Sequence, residues 1–123
     1  PQKKTDLVIP INSLERIDDK KRIWRSEVNQ ELKKDYKKIF DLIDTLIFLK
    51  VPNFKKVYTW RLLQEKKLKI SSKGKKIMNK LEIKRFIMFY ERLTKHMLKT
   101  MSKKARVIVK IDGKHKLKSI KFN

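Results

Sequence analysis

The sequence predicts an α/β domain that is largely helical and ends in a β-hairpin. The run 45–51 is apolar almost throughout, which is typical of a strand covered on both faces, as in a parallel sheet. Apolar residues recur at helical spacing on both sides of this run. Near the end of the chain, Asp112-Gly113 separates two β-prone segments in the manner of a hairpin turn. Because a doubly covered strand needs neighbouring strands, the pattern indicates part of a larger sheet.

The first part of the chain predicts a short strand and a long helix. An apolar segment at 7–11 fits a strand that ends at Pro10. Asp18 and Asp19 provide an N-cap region for the following helix. From Arg22 onward, apolar side chains fall on one helical stripe: Trp24, Val28, Leu32, Tyr36, Phe40 and Ile43. This stripe predicts one amphipathic helix.

The second part of the chain predicts two helices and the hairpin. Pro52 stops the strand, and Asn53 caps the helix that follows. The lysine-rich segment 71–79 then predicts a basic, lid-type loop. A further helix is expected at about 80–103, and residues 106–122 are expected to form the terminal hairpin.

At 123 residues the chain is one domain or part of one, and it is strongly basic. Lys and Arg number 35 against 13 acidic residues, for a net charge of +22. Residues 61–123 hold 21 of the basic residues and only 4 acidic ones. This half is expected to attract phosphate groups, nucleic acid or an anionic surface. A simpler interpretation is that most of the lysines only solvate the surface.

Composition excludes several classes of protein and site. The chain has no Cys, and therefore no disulfide or thiolate metal site, and its two His residues show no metal-ligand spacing. No apolar run reaches the roughly 18 residues that a membrane span needs, and no signal-peptide pattern opens the chain. We therefore expect a cytoplasmic protein with no metal site in this chain. Gly74 and Gly113 are the only glycines, so the chain contains no glycine-rich phosphate loop.

The candidate site residues lie on the helix after the apolar strand. Arg61, Gln64 and Glu65 are spaced i, i+3 and i+4, so their side chains share one face. A guanidinium beside an amide and a carboxylate can hold phosphate oxygens while the acid orients the Arg. An ordinary exposed Arg–Glu pair, which contributes little to stability, has the same spacing. Lys75, in the lysine-rich loop, fits a mobile basic flap over phosphate and equally a solvated turn.

One longer pattern extends over nearly the whole chain. Its main part is V-Y-T-W-R-L-L-Q-E at residues 57–65, followed by Leu68, Met78, Glu82, Phe86 and Tyr90. Shorter matching segments lie at 10–15, 24–25, 28–29, 43–44, 51–54 and 90–98. The pattern resembles the C-terminal half of D-glycerate 3-kinase and its bacterial relatives, which are P-loop kinases related to uridine kinase and phosphoribulokinase.

The resemblance implies that residues 1–123 are the C-terminal portion of a doubly wound P-loop kinase sheet. It implies ATP and Mg²⁺, and phosphoryl transfer to a hydroxyl of a small organic acid. The P-loop and the Mg²⁺ ligands would lie in an N-terminal half that this chain lacks. Pro1 as the first residue fits a fragment, and it equally fits a protein made as Met-Pro and trimmed.

The resemblance also implies roles for individual residues. Arg61 is expected to be catalytic, by stabilising the charge of the transferring phosphoryl group. Asn12 and Arg25 are expected on the substrate side. The implied nucleotide-binding set is Arg61, Gln64, Glu65 and Lys75. The family tends to show G-x-G-M after this helix, whereas this chain has G-K-K-I-M at 74–78, which alters the flexibility expected of the lid.

The sequence therefore predicts part of an ATP-dependent small-molecule kinase of the D-glycerate 3-kinase type. We expect this chain to be inactive alone and to have no membrane partner. The first alternative is a nonspecific, basic, nucleic-acid-binding helical protein, which the charge of residues 61–123 favours. The second is a degenerate relative of the kinases that is kept as an interaction module. Against the first alternative, Trp60, Phe86 and Tyr90 fall on apolar stripes and not on an exposed stacking platform.

Overall fold

The computed structural model of the chain describes residues 1–71 and 76–123. The chain divides into two compact units, residues 1–46 and residues 47–123. The described part of the first unit contains helices and turns, and the second unit has two long helices and a small mixed sheet of three strands. The prediction of a largely helical α/β chain is therefore confirmed.

Three short helices follow a 3₁₀ turn in the first unit. The turn spans Lys4–Leu7, and the helices are α1 (Ser13–Ile17), α2 (Ile23–Lys33) and α3 (Asp35–Phe40). The strand predicted at 7–11 is wrong. Leu7 is buried at the end of the turn, whereas Val8 and Ile9 are exposed, so this apolar segment provides one buried anchor and not a strand face.

The long helix predicted from Arg22 is two helices, α2 and α3. Lys34 separates them with φ −101° and ψ −86°, outside the helical region. Asp35 then begins α3, where an acidic residue is favourable at a helix N-terminus. The apolar stripe continues across Lys34, so the spacing of the apolar residues alone does not reveal the break between α2 and α3. The N-cap predicted at Asp18 and Asp19 is wrong in position, because Arg22, with φ 62°, is the N-cap residue of α2 and Asp18 is the C-cap of α1. The Asp19 carboxylate nevertheless accepts the N–H groups of Trp24 and Arg25 at 3.0 and 3.2 Å.

The sheet of the second unit has the strand order β1-β2-β3. Strand β1 (Ile47–Lys50) is parallel to β2 (Val107–Ile111), and β2 is antiparallel to β3 (Leu117–Phe122). The strand predicted at 45–51 is therefore present, with a parallel neighbour. The expectation that both of its faces are covered is wrong, because Phe48 is buried whereas Ile47 and Leu49 are more than half exposed. The structure also places an antiparallel strand pair within 106–122, where the sequence predicts the hairpin.

The hairpin turn is organised by the side chain of Asp112. Its Oδ1 accepts the N–H groups of Lys114 and Lys116 at 2.7 and 2.9 Å. These hydrogen bonds lower the pKa of the Asp112 carboxyl from its ordinary value, and the one from Lys116 has the larger effect. His115 takes the left-handed backbone conformation, with φ 62°. The turn therefore extends beyond the Asp112-Gly113 pair that signals it in the sequence.

Helices α4 (Phe54–Ser71) and α5 (Lys80–Thr100) connect β1 to β2, and a 3₁₀ turn at Met101–Lys103 follows α5. The Asn53 side chain accepts the N–H of Lys56 at 3.2 Å, as predicted for a cap. At the start of α5, the Asn79 side chain and Glu82 form a reciprocal capping box. Of the predicted loop 71–79, residues 72–75 lie outside the described part, and residues 76–79 have no regular secondary structure.

The buried apolar side chains of the second unit come from the sheet, from α5 and from the segment before β2. They are Phe48, Ile83, Ile87, Ala105 and Ile108. Phe48 and Ile108 are partners in the register of β1 and β2, so they lie on the same face of the sheet. Among the described helices, none is long and apolar enough to cross a membrane.

Candidate functional site

The structure brings together the three residues that the sequence singles out on α4. Nη2 of Arg61 lies 2.6 Å from Oε1 of Glu65, and Nη1 of Arg61 donates to Oε1 of Gln64 at 2.5 Å. The Glu65 side chain is only 7% exposed and that of Arg61 is 23% exposed. This arrangement therefore differs from an ordinary surface ion pair, because its carboxylate is buried.

Glu65 also fixes the segment that leads into α5. Its second oxygen, Oε2, accepts the backbone N–H of Met78 at 3.2 Å. One buried carboxylate therefore binds a guanidinium of its own helix and a peptide group 13 residues further along the chain. A buried carboxylate is costly unless it is paired and hydrogen-bonded, and Glu65 has contacts of both kinds.

Aromatic side chains of α5 lie beside the Arg61 guanidinium. Cζ of Arg61 is 5.3 Å from the centroid of the Phe86 ring, within the range of a cation–π interaction. The Phe86 ring packs edge-on against Tyr90, with centroids 5.2 Å apart. Burial raises the pKa of the Tyr90 hydroxyl, and the Arg61 charge opposes that rise. The Tyr90 hydroxyl is therefore protonated at neutral pH.

Nε of Arg61 is buried and has no hydrogen-bond partner in the described part of the chain. An unpaired buried donor costs about 1–3 kcal/mol. This nitrogen is enclosed by protein atoms, so a ligand in the groove would contact Arg61 through its other guanidinium atoms.

Arg61 also lines a groove between α4 and the hairpin turn, with a volume of about 430 Å³. This volume is within the usual range for small-molecule sites. On the α4 side, Trp60, Gln64 and Lys67 contribute to the lining, and His115 contributes from the turn. The groove therefore offers two basic residues, an amide and aromatic rings to a ligand.

The aromatic wall of the groove is held by contacts between α4 and the turn. The Trp60 and His115 rings have centroids 4.0 Å apart and an interplanar angle of 34°. Nε1 of Trp60 donates to the carbonyl oxygen of Gly113 at 3.3 Å. These contacts fix the Trp60 ring against the hairpin, so that a planar ligand group would meet a positioned aromatic surface.

The remaining predicted site residues are located elsewhere or are not described. Asn12 caps α1, where its Oδ1 accepts the N–H of Glu15 at 3.0 Å. Arg25 is buried, and its guanidinium donates to the carbonyl oxygens of Leu7 and Asp19, both at 2.7 Å, and to the Asp19 carboxylate at 3.0 Å. These contacts give both side chains structural roles in the first unit, and their substrate-binding roles stay predictions. Lys75 lies outside the described residues.

Of the groove lining, sequence reasoning assigned only Arg61 and Gln64 to the site; Lys67 and His115 are among the lining residues that it missed. A signal for Lys67 was available, because Trp60, Gln64 and Lys67 are spaced i, i+4 and i+7 and so share a helix face. For His115 there was no local signal, since the hairpin turn reaches α4 only in the folded chain. Among the described residues, no group of three or more His, Cys, Asp or Glu side chains is placed to hold a metal ion.

No protein-family model, no curated protein and no solved structure matches this chain.

Proposed function

We propose that this chain forms the lid side of the nucleotide site in an ATP-dependent small-molecule kinase of the D-glycerate 3-kinase type. The single observation that carries the proposal is the Arg61 guanidinium, which is held by buried Glu65 and lines the groove. The resemblance of residues 57–65 to that kinase family supplies the type of ligand.

The contacts of Arg61 suit a residue that must hold one orientation. In phosphoryl transfer the protein acts mainly by positioning groups and by stabilising charge on the equatorial phosphate oxygens. Glu65 and Gln64 each engage one terminal nitrogen of Arg61, and Phe86 lies beside the guanidinium. Its orientation is therefore set before a ligand arrives, which lowers the entropy cost of binding a phosphate oxygen.

The groove supports the same ligand class. The Trp60 and His115 rings offer a stacking surface to a base or another planar group. Lys67 and Arg61 contribute basic groups to the same lining. An anionic ligand with a planar part, such as a nucleoside triphosphate, matches this combination more closely than a simple anion does.

In the proposed reaction, the acceptor hydroxyl oxygen forms a bond to the γ-phosphorus of ATP. The bond between that phosphorus and the β,γ-bridging oxygen breaks, ADP leaves and the hydroxyl proton is released. Arg61 would donate to oxygens of the transferring group. Glu65 is not the base in this proposal, because both of its oxygens already accept hydrogen bonds.

The described residues do not fit a Mg²⁺ site made of three or more carboxylate or imidazole ligands. The chain also contains no G-x-x-x-x-G-K-[ST] motif. In this proposal the phosphate-cradling loop and the metal ligands therefore come from a polypeptide segment outside residues 1–123. We accordingly expect no ATP turnover from this chain alone, and robust phosphorylation of D-glycerate by it would contradict the assignment of a lid role.

The proposal is tested by NMR on the ¹⁵N-labelled chain titrated with ATP. The chain has two tryptophans, and the Trp60 indole N–H lies at the groove, whereas Trp24 belongs to the first unit. We expect a saturable shift of the Trp60 indole resonance and no matching shift of the Trp24 resonance. Equal movement of both resonances would contradict a site in the groove.

Arg61→Gln and Lys66→Gln form a matched pair for this titration. Both remove one positive charge from α4, but Lys66 is exposed and does not line the groove. Loss of a hydrogen bond to a charged group costs about 1.5–3 kcal/mol, so Arg61→Gln should weaken ATP binding roughly 10- to 100-fold. Lys66→Gln should change it less than about twofold.

The same variants distinguish the nucleic-acid-binding alternative. A nonspecific binder would associate with a single-stranded oligonucleotide with a steep salt dependence. Its affinity would fall equally for Arg61→Gln and Lys66→Gln, because only the number of charges would matter. That pattern, together with no saturable ATP effect, would replace the kinase proposal.

A further inference from the structure

A cavity with a volume of about 1050 Å³ lies within the first unit, to which all of its lining residues belong. Its walls are the segment 1–7, the turn before α2 and one face of α2. Six basic residues line this cavity, and they define it as the basic cavity: Lys3, Lys4, Lys21, Arg22, Lys33 and Lys34. Among the described residues that line it, none is acidic.

The absence of acids from the lining is a property of the fold and not of composition. Residues 1–34 contain nine basic and six acidic residues. On α2, Asn29 and Lys33 are spaced i, i+4 and line the cavity from one face. Glu27 and Glu31 are rotated by roughly 120–160° from that face, because the helix turns about 100° per residue. The helix therefore directs its acids away from the basic cavity.

The ion pairs described in the first unit use bases that lie outside the lining. They join Arg25 to Asp19, Lys37 to Asp41 and Lys38 to Asp35. Like charges that are gathered around one cavity repel one another and oppose folding. An anion with several charges would remove this repulsion and would be attracted by several bases at once, whereas a single carboxylate would offset only one of them.

The walls of the basic cavity are held together by hydrogen bonds that do not use its charges. Oδ1 of Asn29 accepts the backbone N–H of Gln2 at 2.7 Å, and Nδ2 of Asn29 donates to the carbonyl oxygen of Gln2 at 3.1 Å. Nε of buried Arg25 donates to the carbonyl oxygen of Leu7 at 2.7 Å. These contacts fix the segment 1–7 to α2, so the cavity is formed before a ligand binds.

We propose that the basic cavity binds a compact anion that carries several phosphate groups, either free in solution or as a lipid headgroup. Five of its six bases are lysines, whose ammonium groups bind phosphate as point charges without a fixed geometry. Ser26 and Gln30 also line the cavity and offer a hydroxyl and an amide to phosphate oxygens. The volume is close to the upper end of the usual range for small-molecule sites.

The lining favours such an anion over nucleic acid. Proteins that bind single strands combine basic residues with aromatic rings on which the bases stack. Among the described residues that line the basic cavity, none is aromatic. A duplex spreads its phosphates along an axis, so a concave cavity would meet only a few of them. The proposal concerns the first unit and does not depend on nucleotide binding at the Arg61 groove.

The test uses myo-inositol hexakisphosphate as the probe and NMR of the ¹⁵N-labelled 123-residue chain. The side-chain amide of Asn29 reports on the basic cavity, and the indole N–H of Trp60 reports on the Arg61 groove. We expect the Asn29 resonances to saturate at a probe concentration at least about tenfold lower than any that shifts the Trp60 resonance. The reason is that each additional exposed ion contact contributes up to about fivefold in affinity.

Two variants that each remove three positive charges from the first unit provide the matched comparison. The cavity variant combines Lys4→Gln, Lys21→Gln and Lys33→Gln. The control variant combines Lys20→Gln, Lys37→Gln and Lys38→Gln. All six side chains are exposed, and only those of the cavity variant line the cavity. The cavity variant should weaken probe binding about 30- to 100-fold, and the control variant less than about threefold. If circular dichroism shows that the cavity variant does not fold, Lys21→Gln is compared with Lys20→Gln.

Asn29→Ala tests whether the built walls matter, because it removes both hydrogen bonds to Gln2 and no charge. Probe binding should weaken about fivefold or more, since the segment 1–7 must then be ordered when the probe binds. Attraction by charge alone would leave the affinity unchanged, and that result would contradict a formed site.

Further results would overturn the proposal. Equal weakening by the cavity and control variants would show attraction by the overall field. Failure of the Asn29 resonances to saturate would show that the probe has no site there. Tighter binding of a single-stranded oligonucleotide of equal charge, lost in the cavity variant, would assign the basic cavity to nucleic acid.

Vesicles that contain phosphatidylinositol bisphosphate distinguish the two sources of the phosphate groups. Binding to these vesicles that the probe displaces would identify the ligand as a lipid headgroup. Probe binding without vesicle binding would identify it as a free anion. None of these measurements uses ATP, so failure here is separate from failure of the kinase proposal.

Discussion

Replacement of Glu65 by Gln is the sharpest perturbation of the candidate site. The substitution keeps the size of the side chain and removes its charge, and it leaves the Arg61 guanidinium without its carboxylate partner at 2.6 Å. Removing one partner of a buried ion pair costs about 3–5 kcal/mol. Arg61 is 23% exposed and keeps its contact with Gln64, so water can offset part of this loss. We therefore expect a decrease of about 2–3 kcal/mol in the free energy of unfolding.

The assay is urea unfolding followed by tryptophan fluorescence in a Trp24→Phe background. In this background Trp60 is the remaining tryptophan, so the signal reports on the second unit, which contains it. With a slope of about 1–3 kcal/mol per molar urea, the expected decrease shifts the midpoint by roughly 0.7–3 M. An unchanged slope would show that the loss is one of stability and not of compactness.

Glu91→Gln is the matched control for Glu65→Gln. Glu91 also pairs with a basic residue one helical turn away, Lys95, at 2.6 Å; the Glu91 side chain is 13% exposed and the Lys95 side chain is 52% exposed. Because water reaches the Lys95 ammonium, this pair should be worth about 1 kcal/mol, less than a pair with both partners enclosed. Equal destabilisation by the two substitutions, or a loss below about 1 kcal/mol for Glu65→Gln, would refute the argument that burial makes the Arg61–Glu65 pair exceptional.

Three further predictions concern contacts within the individual units. Hydrogen bonds lower the pKa of Asp112 below 3.8 in the folded hairpin, so its stabilisation is present above that value and is lost as the pH falls through the folded pKa. Asp112→Asn should therefore flatten the pH dependence of thermal unfolding below about pH 4, and an unchanged profile would contradict this. Asn79→Ala removes half of the capping box of α5 and should lower the free energy of unfolding, measured in urea, by about 1 kcal/mol. A decrease of less than about half this value would contradict the stabilising role of the cap. Asp19→Ala leaves the buried Arg25 guanidinium without its carboxylate and should cost about 3 kcal/mol or more. The unfolding of Asp19→Ala is followed by Trp24 fluorescence in a Trp60→Phe background. A decrease in the free energy of unfolding of less than about 1 kcal/mol would contradict this prediction.

The parts of the fold that could be predicted from sequence are those with local causes. Pro52 and Asn53 mark the boundary between β1 and α4, because one cannot continue a strand ladder and the other accepts a helical N–H. The apolar run at β1 and the Asp112 turn likewise have local signatures. The break at Lys34 has none, since the apolar period runs through it, and only the backbone angles reveal it.

Some residues of the candidate site could likewise be predicted from local sequence, and others could not. Helical spacing places Arg61, Gln64 and Glu65 on one face, and the structure shows this face. Met78 and His115 join the site through contacts across long stretches of chain, which no local pattern encodes. For Asn12 and Arg25 the sequence predicts ligand contacts, because their side chains can bind polar ligands. In the structure their observed hydrogen bonds are to groups within the first unit.

Burial of both partners, and not spacing, is what separates Arg61–Glu65 from the Lys37–Asp41 pair. Lys37 and Asp41 are also spaced i, i+4 and in contact, but both side chains are about two-thirds exposed, so salt and water weaken their attraction. The Glu65 carboxylate is instead enclosed and holds the segment before α5 through Met78. A cation fixed in this way has little net charge to attract a ligand from a distance. Lys67 and the wider positive field would therefore draw an anion to the groove, and Arg61 would determine where its oxygen atoms bind.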